Sequence, residues 1–282
     1  MKTGMNLLLW TTHVTEKDFP TLPLLKKAGF DGVEVPIFEG QAPHFRRVRA
    51  ELDNQGLECT TVTVATEDAN PISPDPAIRQ AALDRMKWAI EMTSILGGQV
   101  LCGPYYAPLG VFSGTSPSEE EKKRAADVLR QAADEAQKAG TKLAIEFLNR
   151  FECYFLTTAR DAVDFVKRVN HPAFGMMFDT FHSHIEEKDP ARALRDSAKH
   201  VIHVHISEND RGVPGSGNVR WPEIFKALRE VGYDNWLVIE AFGRALPDLA
   251  AATKVWRDLF VRAEDVYTEG RRFIQTMWDQ AA

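Results

Sequence analysis

The sequence predicts a single (β/α)8 barrel, an α/β TIM barrel over residues 1–282, and three observations carry that prediction. Eight short apolar runs alternate with longer amphipathic ones from end to end. Spread over the 282-residue chain, the repeats average about 35 residues, close to the usual barrel unit. No stretch rich in Pro, Gly or Ser divides the chain, and no GxGxxG follows the first strand, which argues against a doubly wound open sheet.

In chain order the predicted strands and helices interleave. The strand Asn6–Leu9 precedes a helix over Phe19–Ala28, and Gly32–Pro36 precedes His44–Asn54. Cys59–Val64 leads to Pro76–Leu96, and Gln99–Gly103 to Ser118–Ala139. Lys142–Phe147 is followed by Thr158–Val169, and Phe174–Asp179 by Pro190–Ala198. Val201–Ser207 leads to Pro222–Val231, and Trp236–Phe242 to a helical tail from about Leu249 to the end. Helix ends carry glycine at or just past the last turn, at Gly29, Gly56, Gly97, Gly140 and Gly232. Ser118 before three glutamates reads as an N-cap with an acidic first turn, and Thr158 with Asp161 as a capping box.

Composition narrows the function. Hydrophobic residues make up 44% and charged residues 26%, an ordinary soluble globular mixture. The net charge of −6 argues against nucleic acid, which needs a basic face. Cys59, Cys102 and Cys153 lie far apart, so neither a disulfide framework nor zinc-ribbon spacing is available. No apolar stretch reaches the roughly 20 residues of a membrane span, and the amino-terminal apolar run is too short for a secretory signal. A cytoplasmic protein is expected.

The chemistry gathers at the ends of the last four strands. Alternation puts Ala144 and Glu146 on one side of the fifth strand, and Gly175, Met177 and Asp179 on one side of the sixth. His203 and His205 share a side of the seventh, and Trp236, Val238 and Glu240 a side of the eighth. If those sides face the axis, Glu146, Asp179, His205 and Glu240 meet in the top inner layer. Taken singly, each carboxylate also reads as a rim salt bridge and the histidine as core. Three carboxylates crowded together repel unless a cation joins them. Three oxygen ligands and one imidazole suit Mn²⁺, with Co²⁺ or Mg²⁺ as alternatives. Glu152, His182 and Arg211 stand in the loops just above, where a barrel builds its active site. Glu186 and Glu187 read as solvated loop charges and His203 as core. His184 is left open, and His13 is a possible neighbour of the pocket. Tyr105, Tyr106 and Phe112 read equally as pocket wall or surface packing.

At these residues the sequence resembles the ketose 3-epimerases of the xylose-isomerase-like barrels, the D-tagatose and D-psicose (D-allulose) group. The matching stretches are IEFLNRFE at Ile145–Glu152, FDTFHSHIEE at Phe178–Glu187, HISENDRGVPGSGNVRW at His205–Trp221 and VIEAFG at Val238–Gly243. The resemblance covers essentially the whole chain. It implies metal ligands at Glu146, Asp179, His205 and Glu240, substrate contacts from Glu152, His182 and Arg211, and a homodimer or homotetramer. The loop Pro104–Phe112 does not resemble the better-known members, in which the corresponding loop helps shape the far end of the sugar pocket.

The expected reaction is metal-dependent epimerisation of a free ketose at C3. Removing the proton beside the carbonyl gives an enediolate, with Glu146 and Glu240 as the paired acid and base. An aldose–ketose or hydroxypyruvate-type isomerase would use the same metal site. A phosphodiester-cleaving endonuclease would need more histidine ligands and a basic face. A metal-dependent sugar-binding module would lack a base in reach of the sugar.

Overall fold

The structure, a computed structural model, describes residues 1–281. Eight parallel strands hydrogen-bond in sequence order and close into a barrel. They are β1 (Lys2–Asn6), β2 (Gly32–Pro36), β3 (Glu58–Val62), β4 (Val100–Gly103), β5 (Lys142–Glu146), β6 (Phe174–Asp179), β7 (Val201–Ile206) and β8 (Trp236–Ile239). The helices are α1 (Thr21–Lys27), α2 (Ala42–Gln55), α3 (Pro76–Leu96), α4 (Glu119–Ala139), α5 (Ala159–Val169), α6 (Thr180–Glu186), α7 (Pro190–Ser197), α8 (Trp221–Glu230), α9 (Pro247–Ala252) and α10 (Ala263–Gln280).

Alternation along the strands divides the core in two. Leu143, Ile145, Phe147, Phe178, Val204, Leu237 and Ile239 point outward into the large layer between barrel and helices. Val62, Val100, Cys102, Ala144 and Met177 form a smaller cluster inside. The helices meet the outer layer with apolar stripes, as in α4, where Ala125, Val128, Leu129, Ala132 and Ala136 are buried. Phe147 is fully buried, and truncating such a side chain costs about 3–5 kcal/mol.

Local chemistry places the helix ends. Ser118 and Glu121 form a reciprocal capping box on α4, and Thr158 and Asp161 form one on α5. Gly56, Gly97 and Gly140 end their helices in the left-handed conformation. At Gly103, φ is +122° and an added Cβ would lie 2.1 Å from the Thr63 carbonyl oxygen, so only glycine fits.

Three expected boundaries are corrected. The first strand is Lys2–Asn6, not Asn6–Leu9. The apolar run Leu7–Leu9 forms a buried 3₁₀ turn instead, because the Asn6 side chain accepts the Leu8 N–H and starts it. The stretch after β6, expected as loop, is α6. Asp179 caps it by accepting the Phe181 N–H at 2.6 Å. The carboxyl-terminal tail is two helices, not one. Lys254 at φ +61° breaks it after α9, and Arg262 with Asp265 starts α10.

Candidate metal centre and active site

Register sets the four strand ends. Asp179 pairs with His205 across β6 and β7, and His205 pairs with Val238 of β8, so Glu240 lies just past the end of β8. Glu146 is the last residue of β5, level with Met177. A one-residue slip in any strand would turn its ligand out of the barrel. Glu146, Asp179, His205 and Glu240 each offer a ligand atom, all within 4.8 Å of one another, and all four residues are buried. The arrangement expected from alternation is the one the barrel builds.

Hydrogen bonds fix the histidine tautomers. His205 Nε2 lies 2.7 Å from Glu34 Oε1, and an ionised carboxylate only accepts, so Nε2 carries a proton. His205 Nδ1 then faces Asp179 at 3.6 Å and Glu240 at 3.5 Å, and is a buried atom without a hydrogen-bond partner. An unpartnered imidazole nitrogen among three carboxylate groups is a donor set that fits a divalent cation. His182 Nδ1 accepts the backbone N–H of Asn149 at 3.0 Å, so its proton is on Nε2. His182 Nε2 lies 3.5 Å from Glu146 Oε1 and 3.0 Å from Arg211 Nη2, so the imidazole and the guanidinium stand side by side at the carboxylate cluster.

Arg211 balances part of the negative charge. Its Nη1 donates to Asp179 Oδ2 at 3.0 Å and to Glu240 Oε2 at 2.7 Å. Its guanidinium lies 3.9 Å over the Phe181 ring. The backbone at Arg211 is left-handed, φ +67°, a strained state for a non-glycine. Glu208 sustains it. Its buried carboxylate accepts N–H groups from Asn209, Val219, Gly215 and the Trp221 indole, and its carbonyl accepts the Arg211 N–H. Glu152 is tied to the same group through Asn149, whose Nδ2 donates to it at 2.8 Å. A cleft of about 540 Å³ opens over Arg211, lined by Asn149, Glu152, Phe181 and Trp256 among others.

The charges respond to burial and to each other. Burial and the Glu240 charge push Glu146 well up. Burial also works to raise Asp179, but Arg211 and the neighbouring histidines overcome it and hold the carboxyl low. Burial and Arg211 push His182 down to about 3, so it stays neutral. Burial opposes the charged form of His205, yet Glu34 and Glu240 win and raise it well above the usual range, so a cation at Nδ1 would take the place of a proton. Burial raises Glu152.

Other expected residues fall elsewhere. Tyr105 and Tyr106 are buried in the apolar core, and Phe112 is 48% exposed at the edge of a surface cleft beside Tyr154 and Arg168. Glu186 and Glu187 are not simple solvated charges. Glu186 takes a two-pronged contact from Arg150, and Glu187 accepts the Ala159 N–H. His13 stacks on His44 at 4.3 Å. The sequence reading gave no role to Glu34, Asn6, Asn149 or the Glu208 carboxylate. A glutamate between two valines in Val33-Glu34-Val35 was the one available signal for the first.

Fold and site together define a parallel (β/α)8 barrel with a candidate metal centre at the carboxyl ends of its strands. The chain belongs to the Xylose isomerase-like TIM barrel family, which it matches over residues 22–277. It is 30% identical to the ketose 3-epimerase of Arthrobacter globiformis over 98% of this chain and 96% of that one. It is 32% identical to the D-psicose 3-epimerase of Ruminiclostridium cellulolyticum, covering 94% and 92%. The D-psicose 3-epimerase of Clostridium cellulolyticum H10, solved with D-tagatose, superposes with a TM-score of 0.90 at 28% identity over 98% of both chains. By this relationship the chain is an isomerase, a carbohydrate epimerase. No described helix is long and apolar enough to cross a membrane.

Proposed function

We propose that the protein inverts C3 of a free ketose through an enediolate, at a divalent ion held by Glu146, Asp179, His205 and Glu240. The observation that carries this is the unpartnered His205 Nδ1 among three buried carboxylate groups. When bound, the ion supplies Lewis-acid polarisation of the sugar oxygens. Glu146 and Glu240 come from strands three staves apart, so their carboxylates approach from different walls of the barrel. One takes the C3 proton on its face of the sugar while the other delivers a proton to the opposite face. His182 and Arg211, 3.0 Å apart beside the carboxylates, would supply N–H donors to the developing oxyanion. Glu152 and Asn149 extend that donor and acceptor edge.

The same reading takes Mn²⁺ as the resident ion, with Co²⁺ or Mg²⁺ as substitutes, and a homodimer or homotetramer. A reducing cytoplasm suits three free, buried cysteines. The test incubates Mn²⁺-loaded protein with D-psicose, D-tagatose, D-fructose and L-ribulose in D₂O. Deuterium at C3 is expected. Deuterium at C1 would instead make it an aldose–ketose isomerase, and none at either carbon overturns the enediolate reading. Glu146→Gln and Glu240→Gln should each abolish exchange, while Glu152→Gln mainly weakens turnover. Full activity in either of the first two refutes the acid–base pair.

A further inference from the structure

Below the candidate ligands lies a second buried polar group, centred on Glu34 of β2. Its carboxylate accepts from five side chains. Oε1 receives Asn6 Nδ2 at 2.9 Å and His205 Nε2 at 2.7 Å. Oε2 receives Thr60 Oγ1 at 2.9 Å, His203 Nε2 at 2.8 Å and Cys102 Sγ at 3.2 Å. All of these residues are shut off from solvent. A buried carboxylate is tolerated only when its lone pairs are filled, and here they are.

Two of those five contacts lead upward. His205 is one. Asn6 is the other, because the same Nδ2 also donates to Glu240 Oε1 at 3.0 Å. The Asn6 amide cannot turn over, since its Oδ1 already accepts the Leu8 N–H at 2.9 Å. Glu34 therefore touches one candidate ligand directly and a second through a single amide, from strands β2, β1, β7 and β8.

We propose that Glu34 is the positioning residue of the metal centre, orienting His205 so that Nε2–H is donated inward and Nδ1 is presented to the ion, and aligning Glu240 through Asn6. This rests on the reading that the ion sits among Glu146, Asp179, His205 and Glu240. A ligating imidazole whose far N–H is held by a carboxylate has its ring direction and tautomer set before the ion arrives. Glu34→Gln keeps the shape but removes the charge: its amide nitrogen either opposes the His205 and Asn6 N–H groups directly, or turns to His203, Thr60 and Cys102 and leaves His205 a neutral carbonyl in place of a carboxylate. Either way the hold on the His205 ring and its tautomer weakens.

The experiment titrates Mn²⁺ into chelator-stripped protein by calorimetry, for wild type, Glu34→Gln, Asn6→Leu, His203→Gln and Asp179→Asn. Glu34→Gln is expected to bind Mn²⁺ about 10–100-fold more weakly. Asn6→Leu should fall between it and wild type, and His203→Gln should stay within about threefold, since His203 hydrogen-bonds Glu34 and meets His205 only in an edge-on ring contact at 5.3 Å. A second readout is independent of any variant's folding. In Mg²⁺-loaded wild type with ¹⁵N-labelled histidine, long-range ¹H–¹⁵N correlation should show His205 protonated at Nε2 alone. Observation of the Nδ1–H tautomer there overturns the proposal, as does wild-type affinity in folded Glu34→Gln. Two ions per chain, one lost in Glu34→Gln, would also overturn it, since the lower group would then be a metal site itself. Asp179→Asn separates the two readings. If it binds Mn²⁺ like wild type, the metal centre itself is misplaced. If it loses binding while Glu34→Gln does not, only the role of Glu34 fails.

Discussion

Replacing Glu208 by glutamine should loosen the loop that holds Arg211 without touching a candidate ligand. Glu208 Oε2 accepts the Gly215 N–H at 2.8 Å and the Trp221 indole N–H at 2.9 Å, while Oε1 accepts Asn209 and Val219 at 3.0 and 3.2 Å. An amide nitrogen in place of either oxygen strands two donors. Hydrogen bonds to a charged group contribute roughly 1.5–3 kcal/mol each, so the gross loss is about 3–6 kcal/mol. Gly215 is exposed and water can take over its N–H, whereas Val219 and Trp221 are buried and have no such recourse. A net loss near the low end, about 3 kcal/mol, corresponds to a fall in Tm of roughly 6–12 °C. Because Arg211 N–H donates to the Glu208 carbonyl, its strained backbone should relax as well. The expected kinetic consequence is about tenfold in kcat/KM, or ~1.4 kcal/mol. Calorimetric melting and ketose turnover, measured together with Mn²⁺ affinity, check the argument. Affinity should hold within a few-fold. A Glu208→Gln protein that melts and turns over like wild type would show that this carboxylate does not brace the loop.

Chelation should lower Tm, because an ion at about 100 times its Kd adds roughly 2.7 kcal/mol to the folded state. Identical melting of stripped and Mn²⁺-loaded protein would count against the metal centre. Gly103→Ala should cost about 3 kcal/mol, since a Cβ at φ +122° meets the Thr63 carbonyl, and urea unfolding measures it. Burial pushes the Cys59 thiol up to about 12 from an ordinary 9.0. The folded state therefore keeps its proton where the unfolded state loses it. Stability is full below the unfolded value and should decline as pH rises toward 12, at about 1.4 kcal/mol per unit from this thiol. Cys59→Ala should flatten that decline in urea unfolding at alkaline pH, and an unchanged slope would assign it to other groups.

The functional reading depends on charge at close quarters. Three carboxylates, Arg211 and two imidazoles share a volume from which water is largely excluded. In such surroundings opposite charges attract strongly and lone carboxylates are costly.

The sequence alone determined the barrel, the repeat order and the meeting of Glu146, Asp179, His205 and Glu240 at the strand ends. Period-two alternation is a local property, and it survives folding because a strand has only two faces. His205 and Glu240 were legible for that reason. The extent of Leu7–Leu9 and of α6 was not, since each depends on one side chain, Asn6 or Asp179, turning back to cap the following backbone. What only the tertiary structure decided was partnership. Glu34 is separated from His205 by most of the chain, and no periodicity relates them. Barrel closure carries β2 round to where its inward face looks across at β7, and that alone brings the carboxylate to within 2.7 Å of the imidazole. The same holds for Glu208, whose four N–H donors, three from a loop and one from the Trp221 indole at the start of α8, close on it only once Gly217, with no room for a Cβ beside Asn209 and Glu208, lets the backbone pass.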